Sequence, residues 1–153
     1  MNAMEILAPV RIVDMKIQHS AIDIGDSPAK SMIQTVDLGY EASELEEHEK
    51  ENEFSLAATM KVAASLVNDS NAEDVRAKAS ATVTIIVAAK RPGNESESID
   101  IRQYLEINSV SMAYAHARSY IMNATAISPM GMLILPPILP DRLVRLHQDT
   151  DIR

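Results

Sequence analysis

Phe54-Ser-Leu-Ala-Ala-Thr-Met-Lys-Val-Ala-Ala-Ser-Leu66 alternates along its whole length. Phe54, Leu56, Ala58, Met60, Val62, Ala64 and Leu66 fall on one face, and Ser55, Thr59, Lys61 and Ser65 on the other. Successive side chains of a strand point to opposite faces, so a period of two over this length predicts a strand with one buried side. Asn68-Asp69-Ser70-Asn71 has the composition of a turn. Beyond it the pattern returns: Val75, Ala77, Ala79, Ala81, Val83, Ile85, Val87 and Ala89 share a face opposite Arg76, Lys78, Ser80, Thr82 and Thr84. Two long strands joined by a short polar turn make an antiparallel hairpin.

Working outward toward the N-terminus, Val10 to Ile24 also suits a strand, with Val13, Met15 and Ile17 facing one way and Asp14, Lys16 and Gln18 the other. It ends in the turn residues Gly25-Asp26-Ser27-Pro28, and a further strand runs from Met32 to about Glu41. The run Glu44 to Glu53 holds six glutamates in ten residues and reads as a solvated connection rather than an acidic docking patch. Toward the C-terminus, Arg91 to Ser98 leaves the sheet, and Ile99 to Ile107 reads as a short helix. A second helix is expected to start with Asn108 or Ser109 as its cap and to stop before Pro129, which cannot donate inside a helix. Val110, Tyr114, Ala117, Ile121 and Ala124 recur along it at helical spacing. Past Pro129 the chain is nearly all apolar but broken by Pro136, Pro137 and Pro140, so it is too short and interrupted to span a membrane and must lie on the fold.

Strands first and helices after give an α+β class: a four-stranded antiparallel sheet with C-terminal helices packed on one side. At 153 residues the chain is read as a single domain over 1–153, with a loose lead-in at 1–8 and a loose tail at 146–153. The absence of cysteine excludes disulfides and thiolate metal sites. A net charge of -8 argues against nucleic acid or an anionic membrane as partner. No basic start precedes an apolar run, so no signal peptide is read and a cytoplasmic location is expected. With one Phe, no Trp and nine Met, the core must be aliphatic, alanine and methionine, which pack adaptably. One good helix and a proline-broken run are thin cover for a whole sheet face, so association through the sheet or the helix is expected to complete the burial.

Tyr114, Ala117-Arg118-Ser119-Tyr120-Ile121, Thr125, Ser128-Pro129 and Leu133-Ile-Leu-Pro-Pro137 together resemble the C-terminal signature of the SecB export-chaperone family. Ala21-Ile22-Asp23 leading to Pro28 is similar to that family's first strand and proline-containing crossover, and Lys61-Val-Ala-Ala-Ser-Leu66 to its third strand. The resemblance implies a dimer-of-dimers homotetramer that holds unfolded or nascent polypeptide without ATP. Apolar grooves between the crossover and the C-terminal helix would receive the client. The groove residues it points to are Met32, Ile33, Met130, Met132, Leu133, Ile134, Leu135, Ile138, Leu139 and Leu143. Tyr114, Ala117, Arg118, Ile121 and Ala124 are the expected oligomer interface. Some members pass clients to the SecA motor and others act alone. Asp23 falls where the family has an acidic residue on its SecA-facing strand, while His19 stands at the place of a second and Arg76 and Lys78 lie near the place of another.

The residues also speak for client binding directly. Met112, Met122, Met130 and Met132 place four of nine methionines within one stretch, and flexible thioethers suit a surface that accepts many sequences. An enzyme finds little support. The four histidines lack metal-ligand spacing, no glycine-rich phosphate loop exists, and no local arrangement marks a nucleophile, so no catalytic residue, metal or cofactor is expected. The competing class is a structural or adaptor oligomer of the same fold that binds one defined peptide.

Overall fold

The structure, a computed structural model, describes residues 10–90 and 100–151. The expected lead-in at 1–8 and the departure at 91–98 lie outside the described residues. Five strands form one antiparallel sheet: β1 (Val10–Ile24), β2 (Met32–Ala42), β3 (Glu46–His48), β4 (Glu53–Asn68) and β5 (Asn71–Lys90). Their order is β1-β5-β4-β2, with the short β3 pairing β4 beyond the end of β2. The central pair is the hairpin read from the alternation, with Phe54 opposite Ala89, Met60 opposite Val83 and Ala64 opposite Ala79. The chain passes from β1 to β2 across one end of the sheet. There Gly25 N donates to the Arg76 carbonyl (2.8 Å), an Arg76 guanidinium nitrogen donates to the Ser27 carbonyl (3.3 Å), and Asp69 N donates to the Ser31 carbonyl (3.0 Å).

Two sequence expectations change in the strands. The two faces expected of β1 do not persist along it, because register shifts between Ile12 and Asp14 and between Ile17 and His19 leave Val13 and Gln18 unpaired. Val13, expected beside Met15 and Ile17, is instead half exposed. The glutamate run is not wholly a loop either. Glu46–His48 pairs with Glu53–Ser55 through a turn in which Asn52 takes φ 52°, a conformation asparagine tolerates better than most residues.

Helix α1 (Ile101–Thr125) and helix α2 (Pro140–Asp151) both pack on the sheet face that carries Leu56, Met60, Val83 and Ile85. The expected break near Asn108 does not occur. Asp100 caps α1 by accepting from Gln103 N at 3.2 Å. Asn108 Nδ2 and Ser109 Oγ donate back to the carbonyls of Tyr104 and Glu106, so they join the preceding turn instead of starting a new helix. Leu105, Val110, Ala113, Ala117 and Ile121 of α1 are fully buried on the sheet. The strands contribute Ala58, Ala64, Ala79, Ala81 and Ala89 to the same core, small side chains that suit a closely packed helix. Full burial of each larger aliphatic side chain stabilises the fold by roughly 1.5–3 kcal/mol. The tail read as loose over 146–153 is helical through Asp151, because α2 continues there.

Candidate functional site

Between α1 and α2 the chain runs extended over 132–139. Ser128 Oγ donates to the Gly131 carbonyl (2.8 Å), and Gly131 takes φ +79°, a left-handed turn open to glycine. Pro136 and Pro137 then remove two amide donors and hold the path extended. Three bonds pin this run. Leu133 N donates to Thr125 Oγ1 (3.0 Å), Gln34 Nε2 of β2 donates to the Ile134 carbonyl (2.8 Å), and Tyr114 OH donates to the Pro136 carbonyl. An extended chain alternates, so with Leu133 and Leu135 buried in the core, Met132 and Ile134 face outward.

Helix α2 begins at Pro140, where a missing amide costs nothing, and carries Asp141 in its first turn. Leu139 joins it through its carbonyl, which accepts from Arg142 N and Leu143 N. Val144 is buried, and His147 meets the Tyr40 ring of β2 edge-on, with centroids 5.2 Å apart. Gln148 Nε2 donates to Glu106 Oε2 (3.4 Å) on α1. Glu106 is only 2% exposed, and its charge is met by Arg102 Nε at 3.1 Å. Arg102 also reaches the Ser43 carbonyl and the Glu44 carboxylate. The Tyr40 hydroxyl has Ser109 nearby but no hydrogen bond among the described residues; burial first, and the negative Glu106 second, push its pKa well above the ordinary tyrosine value.

Gln34 and Tyr40 thus tie β2 to the extended run and to α2. Between them on the same side of the strand stand Val36 and Leu38. Leu38 keeps 37% of its surface exposed, Ile134 61%, Leu139 62% and Leu146 61%. Leu139, Leu143 and Leu146 recur at spacings of four and three, which puts them on one side of α2. The margin of the sheet at β2 is therefore bordered by open aliphatic side chains on a pinned backbone.

The sequence-read groove residues divide. Met132, Ile134 and Leu139 are exposed, while Ile138 and Leu143 are half-buried. Leu133 and Leu135 are not available to a client, because alternation turns them into the core. Met32 is half-buried, whereas Ile33 sits on the opposite face of β2, paired with Val67. Met130 is apart from the rest: its Cε lies near Gly25, at the end of β1 where the crossover starts. Leu38 and Leu146 were not among the residues read from sequence; the spacing from Leu139 through Leu143 was the signal for Leu146.

The expected interface residues divide as well. Tyr114, Ala117 and Ile121 are buried against the protomer's own sheet and cannot meet a neighbour. The uncovered side of α1 carries Ala115, Arg118, Ser119, Met122 and Asn123 around a shallow depression, with Ala124 exposed nearby. Arg118 Nε is buried without a hydrogen-bond partner among the described residues. Asp23 is exposed on β1, opposite Lys78 in the sheet register.

Among the described residues a serine and a histidine are paired. His48 Nε2 lies 2.7 Å from Ser55 Oγ, but Glu46 approaches the same Nε2 at 4.0 Å. A relay needs the carboxylate on the other ring nitrogen, so this arrangement does not orient a base toward a nucleophile. Among the described residues, no group of three or more His, Cys, Asp or Glu side chains is placed to hold a metal.

No family model matches the sequence, and no curated protein matches it. Among solved structures, the chain is similar to the SecB-like chaperone Rv1957 of Mycobacterium tuberculosis, determined in complex with a ChAD peptide from the HigA1 antitoxin. The TM-score is 0.56 at 14% identity, over 85% of this chain and 91% of that chain. At that identity the shared property is the backbone arrangement. The antiparallel sheet with two C-terminal helices laid on one face is a SecB-like fold.

Proposed function

We propose that the protein is an ATP-independent chaperone that holds unfolded or nascent polypeptide along the β2 margin, between the extended run and α2. The observation that carries this reading is the alternation at 132–135: Leu133 and Leu135 anchor the run while Met132 and Ile134 are presented outward on a backbone fixed at three points. Exposed aliphatic surface on a rigid support is what capture of many apolar sequences requires. The peptide complex of the structural neighbour supports a polypeptide as the ligand class. The protein acts in the cytoplasm as a homotetramer in which the uncovered side of α1 meets sister copies. Delivery to a SecA-type motor would use the outer face of the sheet near Asp23.

The test is suppression of aggregation of several unrelated unfolding substrates by the purified protein. Suppression of several is expected, and failure with all of them removes the reading. The neighbour's complex with one antitoxin peptide favours a second reading, an adaptor for a single defined peptide. Tight binding of one sequence with no general suppression would select it. Mass by light scattering tests the assembly, and a stable monomer would count against it.

A further inference from the structure

Methionine alone carries sulfur in this sequence, which has nine methionines and no cysteine. A thioether takes one oxygen from a peroxide and becomes a sulfoxide, a polar group where an apolar one stood. Which methionines react depends on the path to the sulfur, and among the described residues they divide clearly. Met60 is shut in the core, and Met15, Met32, Met112, Met122 and Met130 are half-buried. Met132 alone is exposed, at 41%. Its surroundings hold it there. Gly131 precedes it in a left-handed turn, and nothing lies within 4 Å of the place where a side chain at Gly131 would stand, so the approach is open. Leu133 follows, buried and bonded through its amide to Thr125 Oγ1 (3.0 Å). On an extended backbone Met132 cannot turn inward while Leu133 stays in the core.

We infer that Met132 is an oxidation site through which peroxide turns client capture down, and from which a sulfoxide reductase restores it. This rests on the reading under Proposed function and gives that surface a control. The oxygen is transferred to Met132 Sδ, the O–O bond breaks, the sulfur is oxidised by two electrons, and the peroxide leaves as water. A guest that covers the thioether with apolar surface must instead strip water from the new S–O group. The bonds that pin the run, from Leu133 N, Gln34 and Tyr114, involve no sulfur, so the fold stays and only its surface changes. Ile134, the other outward side chain of 132–135, is a hydrocarbon and keeps its part of the surface. Capture is therefore weakened and not abolished. Losing the partial cover of one methionine corresponds to a change of about three- to tenfold in affinity.

The test treats the purified protein with dilute hydrogen peroxide and removes the oxidant. A fluorescein-labelled peptide of leucine, isoleucine and lysine, which has no sulfur of its own, is then titrated, with aggregation suppression read in parallel. Mass mapping should place the first added oxygen on Met132, affinity should fall about three- to tenfold, and methionine sulfoxide reductase should return it. The denaturation midpoint should not move, which separates an altered surface from a loosened fold. Met132→Leu, compared with its own untreated sample, should show no loss on treatment. Oxygen on Met132 with capture unchanged overturns the inference and leaves the chaperone reading standing. An equal loss in Met132→Leu, or oxidation of the half-buried methionines ahead of Met132, does the same. An untreated protein that neither binds the peptide nor suppresses aggregation overturns both.

Discussion

One sheet face is covered in two different ways. Over β4 and β5, helix α1 lays Val110, Ala113, Ala117 and Ile121 directly on Met60, Val83 and Ile85, and all of them are shut from water. Over β2 the cover is an extended run and a short helix held by a few buried side chains and single polar bonds, with Leu38, Ile134, Leu139 and Leu146 left open. The first region holds the fold together. The second is anchored to it through the buried Leu133, Leu135 and Val144 but leaves its other apolar side chains open to solvent. The difference teaches that stability and binding are carried by different residues of the same face and can be changed separately.

The strongest way to test that separation is Ile121→Ala, which empties a fully buried site on α1. It should cost about 2–5 kcal/mol in chemical denaturation, with aggregation suppression per folded molecule unchanged. A loss below about 1 kcal/mol would show that the two regions do not differ in packing. Next is Glu106→Gln, which leaves Arg102 without its buried counter-charge. We expect a loss of about 1–3 kcal/mol and faster amide exchange concentrated in Pro140–Asp151. Exchange spread evenly over α1 would mean that Glu106 does not serve the attachment of α2.

Two tyrosines sharpen the comparison further. Burial raises the pKa of both Tyr40 and Tyr114 in the fold. For an acid with a raised folded pKa, the contribution is complete below the unfolded value, about 10, and is lost as pH climbs through the folded value. Stability should therefore be flat through neutrality and fall above about pH 10, and Tyr40→Phe should remove part of that fall. At neutral pH the same substitution should be nearly silent, because the Tyr40 hydroxyl makes no hydrogen bond among the described residues, whereas Tyr114→Phe loses the bond to the Pro136 carbonyl and should cost about 1 kcal/mol. Equal costs at neutral pH would contradict the assignment. The smallest effect on stability belongs to Ile134→Ser and Leu139→Ser, within about 0.5 kcal/mol of the parent. Both should cut peptide capture several-fold in a fluorescence titration, and unchanged capture would move the binding surface elsewhere.

The strands were legible because alternation is a local signal: β1, β2, β4 and β5 lie where Val10–Ile24, Met32–Glu41, Phe54–Leu66 and Val75–Ala89 were read. The bulges of β1 were not legible, since a slip of one residue changes which side chains face inward without changing composition. Asn108 and Ser109 misled because the same side chains that cap a helix can bond one turn back within it. The site was only half legible. Leu133, Ile134 and Leu135 are alike in hydropathy, and tertiary bonds absent from the local pattern, Leu133 N to Thr125 Oγ1 and Gln34 Nε2 to the Ile134 carbonyl, help fix which of them turns inward. Pro140 was read as a breaker, yet a proline is equally at home in the first turn, and the leucine spacing after it marked α2.

Thr125 is wholly buried, and its one hydroxyl serves two masters: it donates to the Ile121 carbonyl in the last turn of α1 and accepts from Leu133 N. The tip of a long rod and the beginning of the outward-facing run are fastened by the same atom. A displacement of one is passed to the other, so the height at which Met132 and Ile134 stand above the strands is tied to the last turn of α1.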